Sequence, residues 1–266
     1  MHKDDLGFLE PIFVHNRMED FSIIIVNQTT KEKLLTSTQT NIKVINSFER
    51  GSPASRNLAI RNATADVCLM SDDDIVYEPN FKQIVEEAYQ DYPEADMISF
   101  EANNEEGQLY TNYFPEGMHN KASLMKIFTW VISFKREIYK ENEIYFNHHF
   151  GVGSTFKGAT EYVFLRNAFD IGLNMRHLSK TIVTHPNISS GVLMGSDNAF
   201  FAKTAMQQRF IGNLSYIWLA KYVMYMWKDN YIEFKEIPKK FKIGLHGIKA
   251  YKTLKKTGEI NKIYGI

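Results

Sequence analysis

The chain lacks most of the features that classify a protein at first sight. It has one cysteine, Cys68, so no intramolecular disulfide can form. That thiol lies in the apolar run "DVCLM", where packing is its expected role and a reducing compartment fits. No stretch is long enough to span a bilayer: the apolar region Asn213 to Trp227 is too short and is interrupted by Lys221. The opening "MHKDDLGFLEPIF" has no basic segment followed by an apolar one, so no secretory leader is expected and a cytoplasmic location is. Net charge is absent too, with 31 Lys and Arg against 31 Asp and Glu. There is no internal repeat and no low-complexity linker.

What the chain does have is length and an uneven distribution of charge. Its 266 residues can bury a substantial core, as one large domain or one domain with an appendage. From Lys221 to Ile266 there are 11 Lys and no Arg against four acidic residues, a net +7 that leaves −7 for the remainder. A lysine-only excess confined to the tail argues against nucleic acid as a partner. The tail fits an apolar stripe packed on the domain with solvated lysines, and it also fits a helix lying peripherally on an anionic membrane.

Hydrophobic patterning predicts alternating strands and helices. "FSIIIVNQ" (Phe21 to Gln28) is a continuous apolar run of the buried-strand kind, and "IKVINSF" is a second strand. A helix starting near Pro53, the strand "DVCLMS", the helix "NFKQIVEEAYQDYPEA" and the strand "DMISFEA" follow. "FTWVISFKREIYKEN" supplies a strand and a short helix, "ATEYVFLRNAFDIGL" a helix ended by Gly172, and "KTIVTHP" a last strand. After Ala199 the pattern is helical and rich in aromatics. The long polar and aromatic segment Asn103 to Lys121 reads as a substrate-facing loop. Such alternation implies an α/β fold whose ligands sit at the carboxyl ends of parallel strands.

At one such end stands "LMSDDDIVYEPNF". Asp72, Asp73 and Asp74 repel one another, and burial beside an apolar run would penalise their ionised forms further. A solvated acidic turn is one explanation. A divalent cation is the other, since grouped hard oxygens suit Mg²⁺ or Mn²⁺.

Two longer segments carry a family resemblance. "GSPASRNLAIRNATADVCLMSDDDIVYEPNF" and "HHFGVGSTFKGATEYVFLRNAFDIGL" resemble, in order and spacing, the Arg-Asn helix, Asp-rich motif and acceptor-side segment of the family 2 glycosyltransferases. The likeness runs from about Phe21 to Pro186. It implies a GT-A-type α/β fold with a mostly parallel, Rossmann-like central sheet flanked by helices, spanning 1–190, and a helical, Lys-rich extension over 191–266. It implies an inverting transferase that moves a sugar from a nucleotide donor, a UDP-sugar foremost, to the hydroxyl of a glycan or lipid-linked glycan in surface polysaccharide synthesis.

Site roles follow from the same resemblance. Asp73, Asp74 and His185 would hold Mn²⁺ or Mg²⁺, and Asp72 and Asp74 would face the donor's ribose and sugar. Asn27 and Gln28, at the end of the first apolar run, would read the nucleobase through their amides, with Arg56 beside the base or diphosphate. Glu161 would be the general base. A carboxylate ionised at neutral pH needs only the right position for that task. Competing structural roles stand for each: a polar strand end for Asn27, a helix-surface Arg56, a satisfied core His185, and Glu161 favouring a helix N-terminus. His148 and His149 cannot face the same way in an extended segment and are weaker metal candidates.

Two departures from the family pattern stand out. The usual acidic pair reads Thr160-Glu161, and the family's first strand, which precedes the nucleotide loop, is missing. The expectation is that translation begins upstream of Met1. Two other readings stay open: a transferase-like domain that only binds nucleotide or a partner, and a phosphatase of the haloacid dehalogenase type reading Asp72-x-Asp74.

Overall fold

The computed structural model describes residues 3–186 and 194–262. The chain divides into two compact units. The first comprises Met1–Arg50, Ser55–Tyr145 and Phe164–Asn187, the second Gly51–Ala54, Phe146–Val163 and Ile188–Ile266. The short segments 51–54 and 146–163 thus group with the C-terminal helices, although the sequence reading places them with the N-terminal domain.

In chain order the structure begins with the four-residue helix α1 (Leu9–Ile12) and the strands β1 (Ile23–Gln28) and β2 (Ile42–Ser47). Helix α2 (Ser52–Asn62) follows, then β3 (Val67–Leu69), β4 (Val76–Tyr77), α3 (Phe81–Asp91) and β5 (Met97–Asn103). β6 (Gly117–Met118), β7 (Ile132–Lys135), α4 (Arg136–Glu141), α5 (Thr160–Asp170) and β8 (Met175–Thr184) complete the alternation. Three helices close the chain: α6 (Asp197–Ile211), α7 (Ser215–Lys228) and α8 (Ile237–Lys256).

The mixed α/β architecture matches the expectation; the strand directions do not. β1 and β2 form a parallel two-stranded sheet of their own. The other sheet runs β3-β7-β5-β8-β4, with β6 also on β8. Within it only β5 and β8 are parallel, while β3–β7, β5–β7, β4–β8 and β6–β8 are antiparallel. The sheet is therefore mixed rather than mostly parallel, because β7 inserts between β3 and β5 in reverse. Among the described residues no strand joins β1 to β3.

Burial explains the order. Every residue from Met97 to Ala102 on β5 is buried, as its central position requires. Ile132 and Phe134 of β7 and Ile182 and Val183 of β8 are fully buried on either side. Cys68 on β3 has its thiol pushed up to about 11 by burial, in keeping with a packing role.

The second unit has its own cores. Phe150, Phe156 and Val163 pack with Ala205, Met206 and Tyr251, while Phe200 packs with Leu219, Val223 and Ile248. Two glycines inside α8 allow the close approach. A Cβ at Gly244 would collide with Leu219 of α7, and one at Gly247 with the Phe201 carbonyl and Thr204 of α6. Packing thus outweighs the ordinary cost of glycine in a helix.

Candidate active site

The acidic triplet occupies the turn between β3 and β4, and both flanks of that turn are clamped. On the β3 side the Met70 amide donates to the Ile132 carbonyl at 3.0 Å. On the other side Tyr77 stacks on Phe81 at 4.0 Å, and Phe81 on Phe21 at 4.8 Å. Asn16 Nδ2 donates to the carbonyls of Tyr77 and Glu78, and Thr184 Oγ1 donates to Glu78 Oε1 at 2.6 Å. The three carboxylates are held between fixed points yet stay 35%, 36% and 59% exposed. Desolvation is therefore a smaller burden than the neighbouring apolar run suggests.

Mutual repulsion is met one carboxylate at a time. Arg56 Nη2 lies 3.4 Å from Asp72 Oδ1, Lys3 Nζ 2.9 Å from Asp73 Oδ2, and His185 Nε2 3.5 Å from Asp74 Oδ1. Arg56 projects from α2 as the Arg-Asn motif anticipates. Lys3 had no place in the sequence reading. Its amide donates to Asn27 Oδ1 at 3.4 Å and its ammonium sits over the Phe8 ring, 5.1 Å from the centroid.

His185 is 3% exposed, just past the end of β8. Its amide donates to the Asn103 carbonyl. Its ring stacks on Trp130 at 4.7 Å and meets the edge of Tyr110 at 5.3 Å. Nδ1 lies 2.6 Å from the Pro186 carbonyl oxygen, which can only accept, so Nδ1 carries the proton. In the neutral ring Nε2 then directs a lone pair at a carboxylate oxygen. Two acceptors facing each other need a proton or a metal cation to satisfy both. A histidine whose other nitrogen donates to a backbone carbonyl is the usual arrangement of a metal ligand, and imidazole with carboxylate suits Mn²⁺.

Asp74 and His185 therefore fit a cation; the full expected set does not assemble. Among the described residues no three His, Cys, Asp or Glu side chains are grouped to hold a metal. Asp73, the foremost ligand in the sequence reading, is directed at Lys3.

The two nucleobase candidates differ. Asn27 is fully buried, and its Nδ2 donates to Asn46 Oδ1 while its Oδ1 accepts from Lys3. Asn46 in turn exchanges hydrogen bonds with the backbone of Leu35. Asn27 thus ties the ends of β1 and β2 to the loop between them, the structural alternative raised for it. Gln28 is the half-exposed member of the pair.

Glu161 belongs to the second unit, in the first turn of α5, and is half-buried. The two motif segments meet just before it. The Ser52 amide donates to the Val152 carbonyl at 2.9 Å. Gly151 has φ +141, and a Cβ there would lie 2.7 Å from Ser52 Oγ, 2.8 Å from Thr160 Oγ1 and 3.0 Å from Pro53 Cδ. Only glycine suits both that backbone and that space. His149 bonds Thr155 Oγ1 and donates to the Glu259 carbonyl, a structural role.

A buried polar chain also escaped sequence reasoning. Ser99 Oγ lies 2.9 Å from His119 Nε2 and 3.0 Å from His177 Nδ1, and His119 Nδ1 lies 2.9 Å from Ser123 Oγ. Burial pushes His119 down to about 3 and lowers His177 as well, so both rings stay neutral near pH 7. Nothing local in the sequence brings residues 99, 119 and 177 together.

Comparison with known proteins gives this geometry a context. The model of Glycosyl transferase family 2 matches residues 13–159. The crystal structure of S. aureus TarS 1-349 is 12% identical with a TM-score of 0.54, over 98% of this chain and 90% of that one. The same fragment in complex with UDP-GlcNAc is 13% identical with a TM-score of 0.53, over 97% and 90% of the two chains. Its complex with UDP gives 13% and 0.54, over 98% and 90%. At such identity the likeness is one of fold. No curated protein matches the chain.

Proposed function

Since the chain belongs to glycosyl transferase family 2, and so is a glycosyltransferase rather than a phosphatase, we propose that it moves a sugar from a UDP-sugar donor to a hydroxyl of a glycan or lipid-linked glycan. The UDP-GlcNAc and UDP bound by the structurally similar TarS support a uridine donor. The observation that carries the reading is the facing pair Asp74 and His185, with Oδ1 3.5 Å from Nε2 and the other ring nitrogen held 2.6 Å from the Pro186 carbonyl oxygen.

A divalent cation held by Asp74 and His185 would offset charge on the departing diphosphate. Arg56, beside Asp72, would meet the same developing negative charge. The acceptor oxygen forms a bond to the anomeric carbon as the bond from that carbon to the phosphate oxygen breaks, which inverts configuration in one displacement. Glu161 takes the proton released by the acceptor hydroxyl. An acceptor on a lipid carrier would be met at an anionic membrane surface.

Glu161→Gln tests the base. Turnover of UDP-GlcNAc onto acceptor should fall about 10²-fold or more while UDP binding stays unchanged, because only proton removal is lost. Near-wild-type turnover would remove Glu161 from the mechanism.

A further inference from the structure

The second unit leaves one helix face uncovered. On α7, Tyr216, Ile217, Met224 and Tyr225 are 40%, 58%, 41% and 48% exposed, and fall on one half of the helix with Lys221 and Lys228 among them. Leu214 and Phe234, beyond its two ends, are 62% and 69% exposed. Trp218 and Tyr222, two aromatics that make the segment look interfacial in sequence, face inward and stack on each other at 4.5 Å.

Beside this face runs an unbalanced positive stripe. α8 has no acidic residue along its length, and Lys242, His246, Lys249 and Lys256 recur on its exposed side at helical spacing. Lys240 differs: it is buried, bonded to Asp197 and the Gly195 carbonyl. The stripe and the apolar face adjoin where Lys252 Nζ reaches Tyr216 OH at 3.1 Å and Asn213 Oδ1 at 3.0 Å.

We propose that the outer face of α7 and the lysine stripe of α8 together form a docking surface for an anionic lipid bilayer. Apolar and tyrosine side chains suit the acyl boundary, and the lysine stems can reach headgroup phosphates. A second copy of the chain is the poorer occupant, since two-fold pairing of this face would bring the lysine stripes together. The inference rests on the membrane part of the proposed function. Its test needs no turnover, so its failure would leave sugar transfer untouched.

The test is flotation of the full chain with vesicles of equal parts phosphatidylcholine and phosphatidylglycerol, against phosphatidylcholine alone. Binding should require the anionic lipid and weaken with salt. Each lysine neutralised should lower partitioning roughly fivefold, so K242Q/K249Q/K256Q should lose about 10²-fold. I217S/M224S should bind more weakly with an unchanged salt dependence. Absence of wild-type flotation at low salt overturns the proposal whatever the variants do. Wild-type partitioning of I217S/M224S, together with equal binding of inorganic polyphosphate, would replace it with a soluble polyanion site. A dimer in sedimentation that I217S/M224S abolishes would replace it with self-association.

Discussion

The two units handle charge in opposite ways. In the first, three adjacent carboxylates each face a different nitrogen: the guanidinium of Arg56, the ammonium of Lys3 and the imidazole of His185. In the second, Lys239 and Lys240 at the start of α8 pair with Asp197, while Lys242, Lys249 and Lys256 stand along the exposed side of a helix that carries no acidic residue of its own. Close pairing fixes side chains for chemistry over a few ångströms. An unanswered stripe acts over a Debye length, about 8 to 10 Å in ordinary salt, and suits attraction to a surface. The difference teaches that a chain of zero net charge can still hold two strongly charged devices.

The pairing can be broken most severely at Asp74. Asp74→Asn should lower turnover about 10²-fold or more, since it leaves His185 without its carboxylate. Far-UV and near-UV circular dichroism should match the wild type because the side chain is more than half exposed. Turnover within a few-fold of wild type would make the triplet a solvated turn.

A smaller effect is expected at the buried histidines of the first unit, where His119 and His177 meet through Ser99. The folded-state pKa of His119 lies below the unfolded value, so the unfolded chain binds the extra proton as acid is added. Stability should be fully present above about pH 6.5 and fall as pH drops toward about 3, by at most about 1.4 kcal/mol per pH unit for this group. Urea melts of wild type and His119→Gln across that window should differ in slope, the variant being flatter. Equal slopes would mean that His119 contributes nothing to acid unfolding.

The mildest change sharpens the comparison. Lys3 and Asp73 form a partly exposed pair, a class worth about 0 to 1 kcal/mol, so Lys3→Ala should leave the melting temperature nearly unchanged. Removing a resident cation from the triplet should instead tighten Mn²⁺ binding a few-fold, as measured by calorimetry. Weaker Mn²⁺ binding in Lys3→Ala would show that the ammonium supports the site rather than competing with a metal.

Much of this arrangement was legible in the sequence. A continuous apolar run gave β1, the segments "IKVINSF" and "DMISFEA" read as strands gave β2 and β5, and the Arg-Asn helix and Asp triplet fell where their spacing placed them. His185 sits at a strand end as read, although β8 begins at Met175, earlier than "KTIVTHP" suggests. What was not legible depends on distance along the chain. Burial on both faces marks a central strand but says nothing of its neighbours' direction, so the reversed β7 went unseen. Trp130 and Tyr110 lie far from His185 in sequence, and only the fold stacks them on its ring. Asn27 read as a ligand because a polar residue ends an apolar run; its partners Asn46 and Lys3 arrive from other segments. Aromatic content alone also does not tell inward Trp218 and Tyr222 from outward Tyr216 and Tyr225 on α7.

The central claim is that the facing pair Asp74 and His185 binds a divalent cation, and Mn²⁺ binding to the full chain tests it most directly. Calorimetric titration at neutral pH should show Mn²⁺ binding to wild type that weakens at least about tenfold in both Asp74→Asn and His185→Ala, in line with loss of a ligand. Equal Mn²⁺ affinity in all three proteins, together with undiminished donor turnover in EDTA, would contradict the account.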